Sequence, residues 1–214
     1  MSTSCCDCTP ESPGAPAPHF RIVLWLALAI NLAMFAVEIG ASLVAGSSAL
    51  QADALDFLAD AANYGISLSV VGLALAWRAR AALIKGATMG MLGIGVLTST
   101  LLHAISGTVP QAELMSVVGV TALVANGGVA AMLYRLRTGD ANMQSVWLCS
   151  RNDVIGNLAV LLAAAGVFGT STGWPDLVVA FAMAGLGISG AWQIMRRAAA
   201  ELAISGIPAP ASNR

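Results

Sequence analysis

Residues 22–45 read IVLWLALAINLAMFAVEIGASLVA, an apolar run whose polar side chains are Asn31, Glu38 and Ser42. A hydrocarbon core about 30 Å thick is crossed by about 20 apolar residues in a helix, so this run predicts a membrane-spanning helix. Further along the chain, 49–77, 86–106, 114–134, 143–168 and 174–195 have the same character, separated by short polar or Gly/Pro segments. Strands of a β-barrel would alternate in polarity over about ten residues; these runs are longer and do not alternate. The expected architecture is an all-α membrane protein, a bundle of six transmembrane helices.

Composition agrees. The 214 residues are 57% hydrophobic and 10% charged, against about 25% charged in a soluble globule, and the length excludes a large soluble catalytic domain beside the spans. A net charge of −1 says little of partners; nucleic acid is not expected. The first twenty residues lack the basic, apolar and small-residue pattern of a cleaved signal. The expected division is a Cys-bearing, disordered cytoplasmic leader at 1–20, a transport domain at 21–197 and a short cytoplasmic tail at 198–214.

Basic residues set the orientation. Arg21, Arg78, Arg80, Lys85, Arg135, Arg137, Arg196, Arg197 and Arg214 fall in the four regions on one side of an even-numbered bundle, whereas 46–49, 107–113 and 169–175 hold no Lys or Arg. By the positive-inside rule both termini are cytoplasmic.

Five of the eleven acidic residues fall inside the spans: Glu38, Asp53, Asp56, Asp60 and Asp153. A carboxylate at mid-bilayer costs roughly 2.5–3.5 kcal/mol on insertion scales, so such residues face the bundle interior or a wet cavity and mark ion or proton pathways. At about 100° per residue, Asp53, Asp56 and Asp60 project within about 60° of one another, and Asn63 and Ser67 continue the stripe. Leu55, Phe57, Leu58 and Val70 lie opposite and suit lipid or packing. On span 5, Ser145, Cys149, Asp153 and Asn157 recur every four residues. Spans 2 and 5 run in opposite directions, so Asp56, Asp60, Cys149 and Asp153 can meet near the middle of the bilayer. Three carboxylates and a thiolate suit a tetrahedral transition-metal site, and the thiolate favours Zn²⁺ or Cd²⁺ over Mg²⁺ or Ca²⁺.

Each group has a plainer reading. A lone Cys such as Cys149 is most often a small buried hydrophobe, and Asp53 is either part of the pathway or a structural group near the helix end. Asn31 and Glu38 share a face of span 1, to pair with another helix or line the cavity. Arg151 points about 160° from Cys149 and Asp153; it would snorkel to the interface or pair with Glu38 or Asp140. His103 reads as an interfacial side chain, with a secondary site or proton acceptor as the alternative. Gly86 and Gly90, and the Gly185, Gly187 and Gly190 set, suggest close helix packing. Cys5, Cys6 and Cys8, ahead of His19, either capture a soft metal ion or are incidental thiols of a tail.

The stretch from Ser47 to Asp60, SSALQADALDFLAD, resembles the signature of the cation diffusion facilitator family: a small-residue loop, Ala-Asp-Ala, then His-or-Asp-x-x-x-Asp on the second helix. Cys149-x-x-x-Asp153 is similar to its half-site on the fifth helix, with Cys149 where His or Asp usually stands. The resemblance covers about 20–200. It implies export of a divalent metal from the cytoplasm in exchange for protons, with no enzymatic activity and no resident cofactor, by a homodimer that rocks between inward- and outward-open states. Asp56, Asp60 and Asp153 would be ligands. The resemblance is to the transmembrane domain; many members also carry a C-terminal cytoplasmic domain, and without it dimerisation would rest on membrane contacts and regulation on the Cys leader.

Metal binding needs deprotonated ligands, so the site would exchange protons for the ion, and alternating access would couple that exchange to transport. The expected location is the bilayer of a bacterial cytoplasmic membrane. Two alternatives stand: a non-transporting membrane metal sensor or accessory subunit, and a proton antiporter for a small molecule in which Cys149 is dispensable.

Overall fold

The computed structural model describes residues 18–69, 75–134 and 141–205; of 18–20, 67, 75–76, 78, 141–151 and 204–205 it describes the backbone alone. They form six helices and no strand: α1 (Pro18–Ala45), α2 (Ser48–Ser69), α3 (Leu75–Ser106), α4 (Ala112–Tyr134), α5 (Ala141–Thr170) and α6 (Trp174–Ser205). Five are long and apolar enough to cross a membrane. The exception is α2, whose Asp53, Asp56 and Asp60 lower its hydropathy; it crosses the bundle surrounded by the others instead of facing lipid, and its residues 49–55 are all buried.

Three tight connections share one end of the bundle. Gly46 and Gly107 adopt φ of +65° and +67°, the left-handed conformation that closes a helix C-terminus without a Cβ penalty. Ser47 N then donates to Ser42 O at 3.1 Å, Thr108 N to His103 O at 3.1 Å, and Gln111 N to Ala45 O at 2.9 Å, which ties the α3–α4 turn to the end of α1. Gly173, between α5 and α6, lies against the Thr108 carbonyl so closely that a Cβ there would collide with it. We call this the loop end; the Arg-bearing opposite end is the basic end.

The main pairings are α3 with α6, α1 with α2, and α4 with α5, and α2 touches α1, α3, α5 and α6. At the loop end Ala45, Leu50, Met115, Val118, Val160, Val167 and Ala180 pack into one apolar cluster. Met34, Phe57 and Ala122 join α1, α2 and α4 at mid-height, and Leu24, Tyr64, Val129 and Leu133 do so nearer the basic end. Between them the polar faces of α2 and α5 are held inside. Trp25, Ile105, Leu162, Phe168 and Leu186 are exposed on the perimeter, as a lipid-facing surface requires.

Two expectations are corrected and one open alternative is resolved. The third helix begins at Leu75, not at 86, because seven of the nine residues from Trp77 to Lys85 are Ala, Arg, Leu or Lys, good helix formers; its charges mark depth, not a helix end. Lys85 is therefore within α3 and not in a connection. Of the two readings for Leu55 and Phe57, lipid or packing, both take packing: they are buried against neighbouring helices. And of the glycines proposed for close packing, Gly86 and Gly90 do face α6, at Met195 and Ala191, whereas a Cβ at Gly185, Gly187 or Gly190 would meet nothing within 4 Å. The seam is made by the glycines of α3, into which the larger side chains of α6 fit.

Candidate metal and proton site

Helical periodicity puts Asp53, Asp56 and Asp60 on one side of α2, and α5 presents Asp153 and Asn157 one turn apart. Asp60 is 7% exposed and Asp153 8%, so both lie inside the bundle. The Asp153 carboxyl faces those of Asp60 and Asp56 across α2 and α5. Three buried carboxyls so close together favour protons or a cation between them, because bare like charges are costly to bury. Asp153 Oδ2 has no donor among the described residues. Among those residues no set of three His, Cys, Asp or Glu closes into a metal cage. Cys149 precedes Asp153 by one turn, but its side chain lies outside the described residues, as do that of Arg151 and the leader residues Cys5, Cys6 and Cys8.

A second polar cluster lies one to two turns toward the loop end. Asn126 of α4 donates to Asn157 Oδ1 at 2.9 Å, and Asn157 Nδ2 donates to Asp53 Oδ1 at 3.0 Å and Oδ2 at 2.8 Å. Asp53 in turn faces Glu38 of α1. Glu38 is fully buried, and no N–H or O–H of the described residues reaches either of its oxygens. Four helices thus contribute to one buried chain. Asp53 belongs to it and is not a helix-end group, and Glu38 pairs with another helix. Asn31 instead donates to Ala27 O of its own helix at 2.8 Å, leaving Oδ1 without a donor among the described residues.

His103 is bonded through Nδ1 to Ser48 Oγ at 2.9 Å, beside a cavity of about 220 Å³ lined by Gly107, Thr108, Ser171 and Trp174 at the loop end. It lies far along α3 from Lys85 and is not joined to the carboxyls of α2 and α5. Asp176, unremarkable in the sequence, is fully buried and accepts from Ser47 Oγ at 2.6 Å, Ser48 N at 2.9 Å and Ala49 N at 3.1 Å. It caps α2 from the first turn of α6, where one expects a carboxylate to cap its own helix; the one available signal is that α2 starts with orphan N–H groups and no acid of its own. Lys85 likewise escapes sequence reasoning: its ammonium donates to Asn63 Oδ1 and its charge acts on Asp60.

Residues 24–203 match the family model for the cation efflux transmembrane domain. The chain belongs to the cation efflux family. No curated protein matches it. Family membership makes this a multi-pass membrane transporter of cations, not an enzyme, and accounts for acids buried on α2 and α5 in an otherwise apolar bundle.

Proposed function

We propose that the protein exports a divalent transition metal, Zn²⁺ or Cd²⁺, from the cytoplasm in exchange for protons, acting as a homodimer with both termini cytoplasmic. The observation that carries this reading is the contact of Asp153 on α5 with Asp56 and Asp60 on α2. A divalent ion entering there displaces the protons that join the carboxyls, so loading and deprotonation are one event. Cys149, one turn from Asp153, supplies the fourth ligand and biases the site toward softer ions. In the return step the emptied carboxyls take protons from the opposite side, and the proton gradient drives the cycle. The buried Glu38–Asp53 pair, tied by Asn157 and Asn126, lies along the route toward the loop end and serves proton passage.

The test is metal uptake by purified protein in vesicles under an imposed pH gradient. Zn²⁺ or Cd²⁺ moves with wild type, stops when the gradient is collapsed, and falls at least about 100-fold in Asp60→Ala. Absence of both movement and binding overturns the reading; binding without movement makes the protein a sensor. Cys149→Ser changes the Zn²⁺/Cd²⁺ preference if the thiolate is a ligand.

A further inference from the structure

Lys85 is the one Lys of the chain; the other nine basic residues are Arg. Long basic side chains in a membrane helix ordinarily extend along the helix toward the headgroups. This one turns inward. It is half-buried, its Nζ donates to Asn63 Oδ1, and Asn63 stands one turn beyond Asp60 on the polar stripe of α2. Asp60 feels the Lys85 charge directly and also accepts from Tyr64, itself buried. A positive charge carried by α3 is therefore held at the basic-end side of the acidic site, on the stripe that a cation entering from that end would follow.

We propose that Lys85 is a tethered counter-cation of the metal site, held on Asn63 with its charge acting on Asp60, so that it offsets the Asp60 side when no metal is bound and a divalent ion has to compete with it on entering. The inference rests on the metal-export reading above. Lysine suits this role because its ammonium is a compact point charge on a flexible four-carbon stem, whereas a guanidinium would lock onto a carboxylate through two parallel bonds. Asn63 gives the ammonium a neutral acceptor to rest on, so it is not left as a bare charge in the bundle. The device also discriminates. A monovalent ion offers Asp60 no more charge than the ammonium already supplies; a divalent ion does.

Equilibrium binding of Zn²⁺ and of Cd²⁺ to the full-length protein in lipid nanodiscs tests this with wild type, Lys85→Met, Lys85→Arg, Asn63→Ala and Asp60→Ala. Removing the competing charge in Lys85→Met tightens binding about tenfold, and Lys85→Arg binds no more tightly than wild type. Asn63→Ala, which takes away the resting acceptor, weakens binding while leaving the charge in place. A residue with a merely structural role would not yield tighter binding when removed. Unchanged or weaker binding in Lys85→Met, with Asp60→Ala still abolishing it, overturns the counter-cation role and leaves the metal site standing. If Lys85→Met does not fold, Asn63→Ala decides, and unchanged or tighter binding there overturns the proposal. If wild type binds neither ion, the export reading itself fails and this inference with it.

Discussion

At Asp176 one carboxylate satisfies a hydroxyl and two backbone N–H groups at the start of α2. Hydrogen bonds to a charged acceptor contribute about 1.5–3 kcal/mol each, and buried donors left bare cost more. Asp176→Ala therefore lowers stability by about 3 kcal/mol or more, and Asp176→Asn by less, read as a fall in melting temperature of the detergent-purified protein. Glu38 gives the opposite expectation. It faces Asp53 with no donor on either oxygen among the described residues, so Glu38→Gln, which brings an N–H to the Asp53 carboxyl, leaves the melting temperature unchanged or raises it. Asn157→Ala takes the donor from both Asp53 oxygens and costs about 1–3 kcal/mol. Residue types single out Asp56, Asp60, Asp153 and Glu38, because acids inside apolar runs stand out, and the four-residue spacing from Asp153 adds Asn157. Asp176 and Lys85 are hidden for the converse reason. Each lies near a span end, where charge is ordinary, and its partner is on another helix, more than 120 residues away for Asp176 and 22 for Lys85.

For the helices, the apolar runs are enough to count six, but they do not say which glycines face a neighbour. A strip of small residues permits close approach without requiring it, and the choice depends on what the opposite helix offers. At Gly86 a Cβ would meet Met195 Cγ at 2.8 Å and Ala191 O at 3.1 Å; a backbone oxygen cannot move aside as a side chain can. Gly86→Val opens the α3–α6 seam and reduces the yield of monodisperse protein in size-exclusion chromatography. Gly187→Ala, with nothing within 4 Å of its Cβ, is silent in the same assay. Gly173→Ala is the most damaging small substitution of the three, because the new methyl would strike the Thr108 carbonyl and force the α5–α6 connection off the α3–α4 turn. The start of α3 is not legible from hydropathy because Arg and Lys are good helix formers; a fall in hydropathy marks the approach to the interface and not the end of hydrogen bonding.

Across the whole molecule, charge is sorted by depth and by sign. Arg80, stacked over Trp77 with 5.2 Å to the ring centroid, and exposed Arg196 and Arg197 gather at the basic end, while the connections at the other end lack Lys and Arg. Single cysteines at Thr108 and at Ala199, in a background with the native cysteines replaced, should therefore react with a membrane-impermeant maleimide from opposite sides of the membrane, Thr108→Cys from outside. Labelling of both from one side would overturn the orientation. The same sorting has a mechanical consequence for α2. Its first turn is clasped to α6 by Asp176, with His103 of α3 on Ser48, and its 22 residues make a rod about 33 Å long. With that tip as fulcrum, α2 would act as a lever whose short travel lies at the clasp and whose long travel lies at the Lys85 end. A tilt of about 10° would displace the far tip by about 6 Å while hardly disturbing the clasp, so a narrow opening at one face and a wide one at the other can come from a single stiff helix.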